Sequence, residues 1–137
     1  MKEIDAELTR LLALRSMLAS IGTSEHRATL DKALTEASKV WLVNKAEIIS
    51  YCRLRYIVDA RQSVMVALYL DFSFKSKLTG SLLARDHGTV LFAVKAVEAK
   101  WTTDPEFRRK FSEFRSRLGL KQWILRPETR PAIENAQ

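Results

Sequence analysis

Cysteine, histidine, proline and glycine are all scarce in these 137 residues, and each shortage removes a class of protein. One cysteine, Cys52, cannot build a disulfide framework and fits a reducing cytoplasm. As a nucleophile it lacks a nearby base in sequence, so an inert thiol is expected. With only His26 and His87 beside it, no convincing zinc site can be assembled, and no metal is expected. Four glycines and three prolines are too few for a turn-rich sheet fold and favour helices. Gly22, Gly80, Gly88 and Gly119 stand too far apart to cradle a phosphate, and no GxxxxGK[S/T] occurs, so no nucleotide cofactor is expected. The longest uncharged apolar stretch, Gln62 to Leu70, is too short to cross a bilayer. The first residues, Met1 to Asp5, are acidic and amphipathic, unlike a secretory signal. No nucleophile–base pair emerges, which leaves an enzyme as the least expected class, with no catalytic residue to name.

What is present is a core and a charge. Hydrophobic residues make up 47% and charged residues 28%, the balance of one globular domain with room for an added arm. Net charge is +7 and unevenly placed: residues 1 to 36 carry 5 basic and 6 acidic groups, residues 37 to 137 carry 18 and 10. A basic body on a near-neutral arm points to a polyanion partner for the body, against the plain alternative of solubility.

The apolar spacing reads as all-α. Ile4, Leu8, Leu11, Leu12, Leu14, Leu18 and Ile21 recur at helical intervals before Gly22. Ser24 is expected to cap a second helix running to about Trp41, and Asn44 with Glu47 marks another start. A basic connector, Cys52 to Tyr56, precedes the most apolar helix, expected from about Asp59 to Leu70 at the centre of the core. Lys75 to Leu83 makes a short helix, Ala84-Arg85 a turn, and Asp86 opens the next helix. Asp104-Pro105-Glu106 starts a further helix that ends at Gly119, with Phe107, Phe111 and Phe114 facing inward. Trp41, Trp101 and Trp123 read as packing residues.

Residues 85 to 97 are the most informative stretch. Val90, Leu91, Val94 and Val97 form the expected buried face, while Asp86, His87, Thr89 and Lys95 stay free. That division suits the exposed helix of a helix-turn-helix, whose first turn reaches base edges in duplex DNA.

Three runs in order, Ala60-Arg61-Gln62, Lys77-Leu78-Thr79-Gly80-Ser81-Leu82 and Arg85-Asp86-His87-Gly88-Thr89-Val90-Leu91, resemble the C-terminal DNA-binding domain (domain IV) of the bacterial replication initiator DnaA. The resemblance covers roughly residues 28 to 118 and implies a Trp-repressor-like helical domain containing a helix-turn-helix. It implies major-groove base contacts from Asp86, His87, Gly88 and Thr89, and a minor-groove contact from Arg53. A carboxylate accepts from cytosine and an imidazole donates or accepts at a base edge, while a guanidinium suits a narrow minor groove. For Asp86 a helix cap is an equal reading. Gly88 departs from the family, which usually has threonine there. Arg61 and Gln62 would fix register on phosphates, and Arg55, Lys75, Lys77, Arg85 and Lys95 are further phosphate candidates. Four to six such contacts would give log K a slope of roughly −4 to −5 against log salt. The family's ATP-binding module is missing, so ATP hydrolysis and origin melting are not expected of this chain alone.

The sequence therefore divides into a helical arm at 1–27, the domain at 28–118 and a tail at 119–137. The arm's leucine stripe exceeds what an isolated helix leaves in water. Pairing with a second copy into a homodimer is preferred over packing on its own domain. The leading expectation is a cytoplasmic, nucleoid-associated protein that binds double-stranded DNA with sequence preference, related to replication initiation or its regulation. The alternative is an interaction or regulatory module that keeps the fold with weak or non-specific DNA binding.

Overall fold

A computed structural model describes residues 23–124. The expected N-terminal helix, its self-association and the tail beyond Ile124 lie outside the described residues. Within them the chain is all-α: α1 (Ser24–Trp41), α2 (Lys45–Ile49), α3 (Arg55–Val66), α4 (Ser76–Leu82), α5 (His87–Thr103) and α6 (Pro105–Arg117). None of these helices is long and apolar enough to cross a membrane.

Local chemistry sets most of the starts. Thr23, one residue before the expected Ser24, caps α1: its hydroxyl accepts from His26 N at 3.1 Å, and His26 Nδ1 accepts from Thr23 N at 3.0 Å. Asn44 and Glu47 close the same reciprocal box at the head of α2, as the sequence predicts. Asp104 accepts from Glu106 N and Phe107 N at 3.1 and 3.2 Å, ahead of Pro105 at the first helical position.

The central helix begins earlier than its apolar run suggests. Leu54 stands at the cap of α3 and makes no side-chain cap bond, so no local signal marks the start. The first turn is held from outside instead, by burial of Ile57 and by the Arg55 guanidinium on Asp104 at 2.6 Å. After Val66 the helix widens into a π-helical turn, Ala67–Asp71, whose register shift lets Phe72 N donate to Ala67 O at 3.0 Å. Asp71 at its end takes two bonds from the buried Arg115 guanidinium of α6.

The core lies around α3, which packs against α1, α2 and α5, while α6 closes on α1 and α5. Ala60, Val64, Met65, Val66 and Leu68 are buried, and each large aliphatic side chain so enclosed stabilises the fold by about 1.5–3 kcal/mol. Phe107, Phe111 and Phe114 are all buried on α6, as their spacing predicts. Trp41 and Trp123 join them, with Trp41 edge-on to Phe114 at 5.8 Å and Trp123 edge-on to Phe111 at 5.3 Å.

Candidate nucleic-acid interface

The short turn between α4 and α5 is fixed by a close approach. A Cβ at Gly80 would stand 2.5 Å from Arg85 O and 3.0 Å from Asp86 O, so only glycine lets α4 lie this near the head of α5. The end of α4 is a Schellman motif. Arg85 N donates to Gly80 O at 2.7 Å and Ala84 N to Ser81 O at 3.2 Å, with Ala84 left-handed at φ 59°.

Asp86 then caps α5. Its Oδ1 accepts from both Thr89 N and Thr89 Oγ1 at 2.9 Å. Those two bonds, the backbone one foremost, hold the carboxyl below its ordinary range. The cap turns the first residues of α5 outward. Asp86, His87 and Gly88 are exposed, and Thr89 is half-buried.

The buried stripe of α5 differs from the expected one by one residue. Val90, Ala93, Val94 and Val97 face the core, and Leu91 is 41% exposed. Alanine satisfies the i, i+3, i+4, i+7 pattern because α5 lies close against α3 and α4, where a small side chain suffices. The face opposite carries Gly88, Leu91, Phe92, Lys95 and Ala99, all exposed.

A second element sits beside this turn. The segment after α2, Ser50 to Leu54, carries Arg53 in an exposed position. Two arginines expected on phosphates hold it in place. Arg61 is 8% exposed, and its guanidinium donates to Ile48 O (2.7 Å), Ser50 O (2.7 Å) and Cys52 O (2.8 Å). Burial, with the neighbouring Arg85 charge second, pulls its pKa down from the ordinary guanidinium value. Arg85 donates to Ile49 O and Leu83 O at 2.6 and 2.8 Å and to Ser50 O, and lies over the Tyr51 ring at 4.5 Å. Both side chains thus satisfy carbonyls left open where α2 ends. They position the Arg53 segment, and their donors are directed inward.

The remaining cations divide in two. Arg55 is engaged by Asp104 at 2.6 Å and Glu106 at 3.8 Å, with Asp59 at 4.0 Å; the Asp104 bond foremost raises its pKa. Gln62 accepts from Lys100 Nζ at 2.7 Å, and that ammonium also binds Asp59. Lys75, Lys77 and Lys95 are exposed, and among the described residues none of them, nor Arg53, has an ion-pair partner. The arrangement therefore presents an outward helix head and an exposed guanidinium on an adjoining strap, with free ammonium groups on α5 and at the start of α4. Among the described residues no group of three or more His, Cys, Asp and Glu gathers into a metal site.

Sequence reasoning missed the roles of Arg61, Arg85 and Gly80. Arginine looks alike in a sequence whether it faces water or a helix end, whereas Gly80 could have been flagged as a helix-interior glycine lacking any local reason.

No family model matches the chain. The chromosomal replication initiator protein DnaA of Nautilia profundicola is 28% identical over 121 residues, covering 85% of this chain and 27% of that protein. The DnaA of Bacteroides thetaiotaomicron is 32% identical over 123 residues, covering 88% of this chain and 25% of that protein. The chain thus spans about a quarter of the length of the curated relatives it matches. Most of this chain is similar to a portion, about a quarter in length, of the replication initiator DnaA.

Proposed function

We propose that the chain binds duplex DNA with sequence preference, using α4, the turn and α5 as a helix-turn-helix, in replication initiation or its regulation. The observation that carries this is the exposed head of α5, with His87 and Gly88 turned outward by the Asp86 cap. In this reading α5 enters the major groove head first, and His87 meets a base edge. Gly88 presents only backbone, Thr89 lends its hydroxyl region, and Asp86 adds contact through the oxygen not engaged in capping. Arg53 enters the neighbouring minor groove from the strap that Arg61 and Arg85 hold. Lys75, Lys77 and Lys95 pair with phosphates. The similarity to a protein named as a chromosomal replication initiator supports the biological setting.

Selection of bound duplexes from a random pool tests the proposal, with His87→Ala and Arg53→Ala measured on the winning sequence. A shared motif should emerge, and each variant should lose about 1–3 kcal/mol of binding on it and far less on unrelated duplex. A pool with no enriched motif, or variants that bind the winner as the parent does, would favour an interaction module that keeps this fold without reading sequence.

A further inference from the structure

Phe92 is the most exposed aromatic side chain on α5, with 63% of its surface in water. It buries nothing of its own helix's core face, which Val90, Ala93, Val94 and Val97 complete without it. Its position is one helical turn beyond Gly88 and three residues before Lys95, on the same outward stripe. Along Gly88, Phe92, Lys95 and Ala99 the helix holds no acidic residue, and Glu98 lies to the Leu91 side of that line. Gly88 has no side chain, and a Cβ there would meet only Asp86 Oδ1, at 3.5 Å. A ligand at the head of α5 can therefore come close to the backbone at Gly88, and the next side chain it meets along the helix is a large apolar ring.

Resting on the DNA reading above, we infer that Phe92 is a specificity-determining residue that packs on the C5-methyl group of a thymine in the major groove. The methyl is the one apolar group a base pair offers there, and aromatic contact with it discriminates thymine from the other bases. A protein partner would also cover an exposed ring. Its continuity with the outward head of α5 and with Lys95, whose ammonium lacks a carboxylate partner among the described residues, favours a polyanion carrying apolar spots. Gly88 and Phe92 act as a pair: the missing side chain at one position sets the depth at which the other reads.

The test removes the methyl and leaves the hydrogen-bonding edge intact. The full chain is titrated with its selected duplex and with copies in which each thymine in turn is replaced by uracil. One or two replacements should weaken binding about three- to tenfold, the scale of one apolar contact. Phe92→Ala should bind the thymine and uracil copies equally at those positions. The uracil series uses the parent chain, so its result does not depend on how the variant folds. If every uracil copy binds as the thymine duplex does, Phe92 reads no methyl while salt-dependent DNA binding stands. If Phe92→Ala keeps the discrimination, another residue is the reader and the inference is overturned. If no duplex is bound at all, the DNA reading and this inference fall together.

Discussion

Asp86 stabilises α5 more when it is ionised, and this makes one stretch of the pH axis informative. Its carboxyl is held below the ordinary value of 3.8 by the Thr89 bonds, and Asp104 at the head of α6 is shifted in the same direction, led by its bond from Phe107 N. For such a group the unfolded chain takes up the proton first as pH falls. The stability it contributes is complete above the unfolded value and is lost as pH drops through the lower folded one. Melting temperature should therefore decline on acidification below about pH 4, from these two caps together. Asp86→Asn keeps an acceptor without a titrating charge, so it should lower the neutral-pH melt modestly and make the acid decline shallower. Circular-dichroism melts across the acid range measure both slopes, and parallel curves for parent and variant would refute the role given to the charge.

At the level of elements, four helical segments end in the same way and only one announces it. α1, the π-helical turn after α3, α4 and α6 each close with a left-handed residue: Leu42, Ser73, Ala84 and Gly119. Gly119, at φ 74°, was legible because glycine adopts that conformation without strain. Leu42 and Ala84 hide the same turn behind side chains that disfavour it, and their geometry comes from the packing of α2 and α5, the helices they lead into. Ala84→Gly should accordingly stabilise the protein by about 0.5–1 kcal/mol, readable as a higher urea midpoint, and a lower midpoint would contradict it. The start of α3 was hidden for a related reason. Its cap residue is leucine, and the first turn depends on Asp104, forty-nine positions from Arg55 in the chain, which no local pattern displays. The Leu91 and Ala93 exchange on α5 comes from spacing between helices, a tertiary quantity. Arg61 belongs here too, since it links α3 to the end of α2. Arg61→Met would leave the carbonyls of Ile48 and Cys52 without their donor and Ser50 O with Arg85 alone, at a cost of roughly 2–4 kcal/mol in chemical denaturation. A variant as stable as the parent would show that water serves those carbonyls equally well.

For the molecule as a whole, charge was easy to read and its deployment was not. The surplus of basic groups after residue 36 is plain from the sequence, and so were the helical class and the cap at Asp86. Of the cations expected to meet phosphate, Arg55, Arg61 and Arg85 are bonded within the fold, which leaves Lys75, Lys77 and Lys95 beside Arg53, the minor-groove candidate. On the proposed DNA reading, about three or four neutralised charges give a log K against log salt slope of roughly −3 to −4, shallower than the −4 to −5 expected from the sequence. Fluorescence-anisotropy titrations at several potassium chloride concentrations would measure it. A slope near zero removes the polyelectrolyte partner, and one of about −6 would mean the internally bonded arginines are released on binding.

Arg85 belongs to the turn ahead of α5, yet its guanidinium grips the carbonyls of Ile49 and Ser50 next to the strap. The distance between Arg53 and His87 is thereby a built-in gauge, set by the protein before any duplex arrives. On the proposed DNA reading, each extra base pair lengthens DNA by about 3.4 Å and rotates it, so a target with one pair inserted between the two proposed contacts is not matched by loop adjustment. Such a target would have to surrender one contact, which makes insertion more damaging than substitution at the same place.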